Sequence, residues 1–460
     1  MLAMGMAVIG VPASRAAAGS DPSTGDATVS TSATAAAAPV DLDRRIEALE
    51  MELAELKTEL SAKKTAEPAT ATPGVEVASP AQGAAKPPDK VSIASLLGPT
   101  SLSGFVDLYY QANFNHPAGE FTALRSFEGR DKSINLNMVE LILDKAPDAT
   151  AGAAGRTGYH VSLGAGDAMT AIDATERASS GAGPGSFGYD QYLKEAYFSY
   201  LAPVGKGLQI DFGKFVTPMG AEVIESKDNW NYSRSILFSY AIPYFHFGAR
   251  AKYTFNTKYA LTGFVTNGWN NVADNNAGKT YGASFAWTPN AKWTITPTYL
   301  AGPELPTGSL GTLNVDSVWR QTWDMVAMYT VNPKFSVMAN YDYGRGDRTS
   351  ALLNVKPVYW TGIAGYAKYT WDANDYVAGR YEYYDDYNGY TTSAPLHTHY
   401  NEFTVTYQRT IESYLLARAE FRRDMASSAI FPISTFANGV KYQNVATIGL
   451  IFLFDSRNAK

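Results

Sequence analysis

Cysteine is absent from the 460-residue chain, which excludes disulfides and thiolate metal sites. Charge is scarce too: Asp, Glu, Lys and Arg make up 18% of residues, against roughly 25% in ordinary soluble domains. No run approaches the roughly 18 to 20 apolar residues that a membrane-spanning helix requires. An integral protein built from this chain would therefore have to cross the bilayer with strands, closed into a barrel. A basic footprint is also missing, with net charge −6 and a pI near 5.5, so nucleic acid is not an expected partner. What the chain has instead is aromatic surface: 13% Phe, Trp and Tyr, including 30 Tyr and 8 Trp.

The N-terminal fifth has its own texture. "LAMGMAVIGV" (Leu2 to Val11) followed by the small-residue stretch "ASRAAAGS" reads as a signal-peptide-like segment over 1–19, without the usual positive leader. An Ala/Ser/Thr-rich linker, expected to be disordered, covers 20–40. Then Leu42, Ile46, Leu49, Leu53, Leu56 and Leu60 fall at heptad a and d spacing, which predicts a short coiled-coil helix over 41–61. A Pro/Ala-rich tether occupies 62–92. The remaining residues, 93–460, are predicted to form one all-β unit.

The reason is alternation. "ARAKYTFNTKYALTGFV" (Ala249 to Val265) alternates apolar and charged residues, turns at Asn256-Thr257-Lys258 and resumes, which is a hairpin pattern. Segments of this kind recur near 101–114, 133–145, 157–166, 190–202, 207–216, 247–255, 259–267, 279–288, 292–300, 319–331, 335–344, 357–371, 375–384, 399–410, 414–423 and 439–454. Connections such as Val204-Gly205-Lys206, Pro289-Asn290-Ala291, Asn332-Pro333-Lys334 and Asp372-Ala373-Asn374 are tight, and those between them are long and polar. Short turns at one rim and long loops at the other predict a transmembrane antiparallel β-barrel of about 16 strands with its tight turns in the periplasm. The 146–156 connection departs from this rule, being an Ala/Gly-rich loop where a tight turn is expected.

Arg or Lys facing lipid at mid-bilayer would cost about 2 to 4 kcal/mol, so the charged faces are assigned to the lumen. The predicted pore-lining set is Arg250, Lys252, Lys368, Arg380, Arg418 and Arg422 with Asp324, Asp342, Glu382, Glu402 and Glu420. Opposed rows of these signs would set up a transverse field without a strong preference for either. Ala249, Ala251, Tyr253 and Phe255 then meet lipid, and Trp287, Trp293 and Trp371, beside tight turns, are expected in an aromatic girdle. The second strand is less clean, because Glu140 shares a face with Leu136, Met138 and Ile142.

Catalytic patterns are weak. "HTH" at 397–399 places two imidazoles on one side of an extended segment, within reach of a shared divalent ion in principle; two polar residues at a strand start is the simpler reading. No G-x-S-x-G elbow occurs, "GAGDAM" and "GAGPGS" do not sit between a strand and a helix, and "GRGD" at 344–347 has the composition of an exposed turn. No enzyme activity, cofactor or metal is expected.

The third long loop is the informative one. It opens "GKFVTPMGAEVIE", ends "NYSRSILFSYAIPYFHFG", and combines Glu222, Glu225, Asp228 and Arg234 with many aromatics. So apolar a segment would be hazardous in solvent, so it is expected to fold into the barrel mouth as a constriction, with Glu222, Glu225 and Arg234 near the eyelet and Arg250, Arg418 and Arg422 on the opposing wall. The run from Gly213 to Tyr253, together with "SLSGFVDLYY" and "YLKEAYFSYLAP", resembles the OmpL-like β-barrel porin family of Gram-negative bacteria over about residues 91–454. That resemblance implies an outer-membrane location, lipid as surroundings and passive diffusion of small hydrophilic solutes through a water-filled channel. Phosphate-selective porins share a strand end like Gly213-Lys214-Phe215, but their ladder of basic residues is not evident here. A homotrimer with possible cell-wall contact through the heptads is expected; the alternative is a non-conducting structural or adhesive barrel tethered the same way.

Overall fold

Hydrogen-bond closure dominates the architecture. The computed structural model describes residues 98, 100–180, 190–307, 309, 314–346, 357–394, 397–435 and 439–458; the signal-like segment, the linker, the heptads, the tether and Asp347 of the GRGD run lie outside them. Among the described residues sixteen strands build the barrel, in order: β1 (Ser101–Asn113), β2 (Ile134–Lys145), β3 (Thr157–Ala165), β4 (Leu193–Ala202), β5 (Leu208–Val216), β6 (Phe245–Thr254), β7 (Tyr259–Thr266), β8 (Thr280–Trp287), β9 (Trp293–Pro303), β10 (Trp319–Asn332), β11 (Phe335–Gly346), β12 (Val358–Thr370), β13 (Asp375–Asp386), β14 (Thr398–Ile411), β15 (Leu415–Ala426) and β16 (Tyr442–Asp455); a separate two-residue ladder joins Phe431–Pro432 to Gly439–Val440. Each barrel strand pairs antiparallel with its sequence neighbours, and β1 pairs with β16, for example Tyr109 with Gly449, to close the barrel. All sixteen expected segments correspond to these strands within a few residues.

Alternation sorts the side chains. Leu141, Leu163, Phe212, Ile363, Ile448 and Leu450 stand exposed on the outer face, whereas Asp107, Glu382, Glu402 and Arg422 are buried within. That is the reverse of a soluble sheet and fits a wall bathed in lipid. Trp287, Trp293 and Trp371 are exposed beside the tight turns, and Trp371 stacks on Tyr407 with ring centroids 5.8 Å apart.

The irregular second strand has a local cause. A bulge shifts the β1–β2 register so that Asp107 faces Met138 while Leu108 faces Leu136. The extra residue, Asn137, flips the parity: Leu136 is exposed outside, while Met138 and Glu140 are buried inside. The odd 146–156 connection is a pair of short helical turns, Ala149–Ala151 and Gly152–Gly155, with the Asp148 carboxylate accepting the Thr150 N–H at 2.8 Å.

Two helices matter inside the mouth. In the second long loop, α1 (Asp167–Ser180) buries Ala168, Met169 and Ile172, and its Asp167 accepts the Tyr109 hydroxyl at 2.9 Å. In the third, α2 (Ile236–Ala241) is a single short turn capped by Ser235, whose hydroxyl accepts the Phe238 N–H at 2.9 Å.

Candidate functional site: a loop folded across the lumen

The third long loop, residues 217–244, turns inward as soon as β5 ends. Gly220 permits the turn: it holds φ +91, and a Cβ there would meet Ile242 Cδ1 at 2.6 Å. Around it Met219, Ile224, Ile236, Leu237, Phe238 and Ile242 are buried. They form an apolar interior with Trp360 and Ala364 of β12 and with Phe127, whose ring lies 5.8 Å from Phe238 and 5.1 Å from Tyr244.

Irregular backbone inside a barrel leaves many N–H and C=O groups to satisfy. Charged wall residues meet that demand. Glu382 accepts the N–H groups of Ile236 and Leu237 at 2.7 and 2.9 Å, and Glu420 accepts those of Tyr232 and Ser233 at 2.6 and 3.1 Å. In the opposite sense, Arg380 donates to the Ser233 carbonyl at 2.6 Å, and Arg418 donates to the carbonyls of Ser226 and Asn229 at 2.5 and 2.8 Å. Arg422 donates to the Arg234 carbonyl. The loop's own charges are spent similarly: Glu222 accepts from Arg380 at 2.5 Å and from the Ser235 N–H at 2.7 Å, and Arg234 reaches Glu128 at 3.3 Å while its plane lies over Phe127.

The loop spans the lumen. Ala221 N–H donates to Asn340 of β11 at 2.9 Å, the Ser226 and Tyr232 hydroxyls both donate to Asp107 of β1, and Trp360 of β12 donates to the Ala241 carbonyl at 3.0 Å. At its tip Glu225 pairs with Lys194, which also holds Glu140 at 2.7 Å and lies 3.7 Å from Glu195. Glu195 in turn accepts the Val216 N–H at the loop's root, 3.0 Å away. His160 sits between Asp144 and Glu195 at 2.9 and 3.5 Å. Below the tip, a cavity of about 530 Å³ lies between Lys227 and Asp228 and residues of β1, β15 and β16 such as Ser103, Leu416 and Leu453.

This arrangement corrects the sequence-based picture of the lumen in three respects. Arg380, Arg418 and Arg422 are fully buried against the loop instead of lining a free wall, because the loop backbone needs their donors. Acids and bases do not form opposed rows: Arg380 bonds Glu402 on the next strand at 2.8 Å, and Arg422 bonds Asp424 at 2.7 Å and lies 3.6 Å from Glu402. Arg250 belongs to a different wall, paired with Asp211 at 2.7 Å and stacked over Tyr197 and Phe215. Asp324 and Asp342 face each other across the β10–β11 pair and are buried, Asp324 accepting from Asn340 at 2.8 Å. Lys252 is exposed and Lys368 half-buried over Trp230, while Asp228 is exposed beside Lys227.

Residues that sequence reading missed come from the first long loop and the β2–β4 wall. Arg125 reaches Asp424 at 3.2 Å, and Glu128 meets Arg234. Burial pushes the Glu128 carboxyl above the usual range, against the pull of Arg234 and Arg125, and burial together with the nearby Arg422 lowers Arg125. The one sequence signal for Lys194 and Glu195 was Glu140, a carboxylate in an apolar strand that needed a partner. The HTH pair does not converge: His397 bonds Asp385 at 2.6 Å, its ring centroid lies 6.3 Å from that of His399, and among the described residues no group of three or more His, Asp or Glu side chains is placed to hold a metal.

With this geometry in place, comparisons identify the lineage. No curated protein sequence matches the chain. Among solved structures, the anion-selective porin from Comamonas acidovorans superposes with a TM-score of 0.51 at 11% identity, covering 77% of this chain and 99% of that one. A loop-deletion mutant of the outer membrane protein OmpT of Vibrio cholerae gives 0.50 at 10% identity, covering 78% and 100%. At such identities the likeness speaks for the fold alone. The family described as "putative beta-barrel porin-2, OmpL-like" matches residues 99–454, nearly the whole barrel, and the chain belongs to this OmpL-like β-barrel porin family.

Proposed function

We propose that the protein is an outer-membrane porin through which small hydrophilic solutes diffuse, and that the loop at 216–246 sets the width of the passage. The observation that carries this is the third loop itself, bonded from β5 across to β1, β11 and β13–β15 inside a closed barrel with an apolar exterior. Sixteen strands enclose more space than wall side chains fill, and a fixed loop divides that space. Purified protein in a planar bilayer is expected to give ohmic conductance steps. A correctly folded protein that never conducts would refute the channel and favour a structural or adhesive barrel, a second reading that the density of bonds fastening the loop supports.

The assembly is proposed to be a homotrimer whose heptads, from Leu42 to Leu60, associate on the periplasmic side, where the barrels would hold three copies close enough to offset their short length. Replacing Leu49 and Leu53 with Asp is expected to weaken that association while leaving conductance intact. Unchanged trimer stability and cell-wall retention in this variant would remove the tethering role.

A further inference from the structure

Resting on the channel reading above, we infer that the passage prefers small anions, and that Lys252 and Lys368 set the preference. The inference comes from asking which lumen charges remain unbalanced once the third loop is seated. Arg380, Arg418 and Arg422, the residues that would make a basic wall, are in contact with Glu222, Glu402, Asp424 and loop carbonyls and are shut away from water. Charge pairs at contact distance have fields that cancel within a few ångströms in water.

The inward acids of the strands and the third loop that reach water lie beside basic groups. Asp144 lies 2.9 Å from the His160 imidazole, Glu195 and Glu225 share Lys194, Asp228 has Lys227 and Asp455 has Arg457. The exposed Asp372 and Glu412 stand in the tight turns instead. Asp211, only slightly exposed, has Arg250. Asp324 and Asp342 are sealed behind the loop's root.

Lys252 and Lys368 differ from all of these. Among the described residues neither has an acidic partner. Lys252 lies two residues beyond Arg250 on the inward face of β6, opposite Gln209 and Thr262, which are neutral. Lys368 lies on the inward face of β12, opposite Ser336 and Ala378, with its ammonium 4.7 Å from the Trp230 ring centre and 5.5 Å from that of Tyr376. Each is two residues from the strand's periplasmic end, at Thr254 and Thr370 respectively. The two ammonium groups therefore stand near the tight-turn ends of separate walls, Lys252 beside Thr262 and Lys368 beside Ser336. With a Debye length of about 10 Å at 0.1 M salt, their fields cover much of the water a solute must cross, and they raise the local anion concentration there.

The test is the reversal potential of the full-length protein in a planar bilayer under a tenfold KCl gradient. The wild type is expected to pass chloride in preference to potassium, with the preference shrinking at molar salt as screening tightens. Lys252→Gln and Lys368→Gln should each lower the chloride-to-potassium permeability ratio, and the double Lys252→Glu/Lys368→Glu variant should take it from above one to below one. Gln at exposed Lys252 and half-buried Lys368 leaves the strand ladders intact, so these variants remain readable if the Glu pair folds poorly. A conducting wild type that prefers potassium, or substitutions that leave the ratio unchanged, overturns the anion preference alone. A folded wild type that never conducts overturns the channel and this preference with it.

Discussion

Arg380 offers the sharpest test of the loop's attachment. Its guanidinium is buried and donates to Glu402 at 2.8 Å, to Glu222 at 2.5 Å and to the Ser233 carbonyl at 2.6 Å. Met in its place keeps much of the volume and removes every donor. Glu402 would retain Arg422 at 3.6 Å, and Glu222 would retain the Ser235 N–H, but two buried carboxylates would lose their main cation. Removing one partner of a buried ion pair costs about 3–5 kcal/mol, and here that cost falls on the docked loop, because the strand ladder from Asp375–Arg409 to Asp386–Thr398 is backbone and stays intact. Even the lower figure shifts the docked-to-undocked ratio by a factor of about 100 or more. Hydrogen exchange at the Ser233, Ser235 and Ile236 amides should accelerate accordingly, and single-channel records should show new events of larger conductance. Arg380→Lys, which keeps the charge and loses the planar fork, should fall between. An Arg380→Met variant with wild-type exchange across residues 222–236 and unchanged current steps would refute the claim that this guanidinium holds the loop.

Deleting residues 222–240 should raise single-channel conductance, and a folded deletion that conducts as before would mean the loop does not limit the passage. At Gly344 a Cβ would come within 1.8 Å of the Trp360 ring, so Gly344→Ala should displace Trp360 from the Ala241 carbonyl, lower the thermal midpoint by an amount corresponding to about 1–3 kcal/mol and shift Trp fluorescence; an unshifted midpoint would contradict the packing described. Asp342→Asn, removing one of two facing carboxylates, should raise the midpoint by an amount corresponding to up to about 1 kcal/mol from the cross-strand pair, and a lower midpoint would show that the pair is held by something the geometry does not account for. Lys194→Met leaves Glu140 and Glu225 without their shared cation, so it should loosen the loop tip and quicken exchange near Glu225; unchanged exchange would place the tip's hold elsewhere.

Strand number, register of faces and the short-turn rim were legible in the chain because a wall between lipid and water imposes period two on every segment, and each strand carries that pattern locally. Even the misfit at Glu140 was visible, though its cure was not: one inserted residue, Asn137, reverses the parity, and a bulge depends on how β1 and β2 register against each other. The apolar content of residues 217–244 likewise announced a loop that could not stay in solvent. Its route was decided only by the fold. Which carboxylate meets which backbone N–H, and whether an inward arginine faces water or a loop carbonyl, depends on contacts between residues 146 to 192 positions apart, such as Ile236 with Glu382 and Ser226 with Arg418. Period two shows that Arg380, Arg418, Lys252 and Lys368 all point inward; only the seated loop separates the two arginines, bound and buried, from the two lysines left facing water.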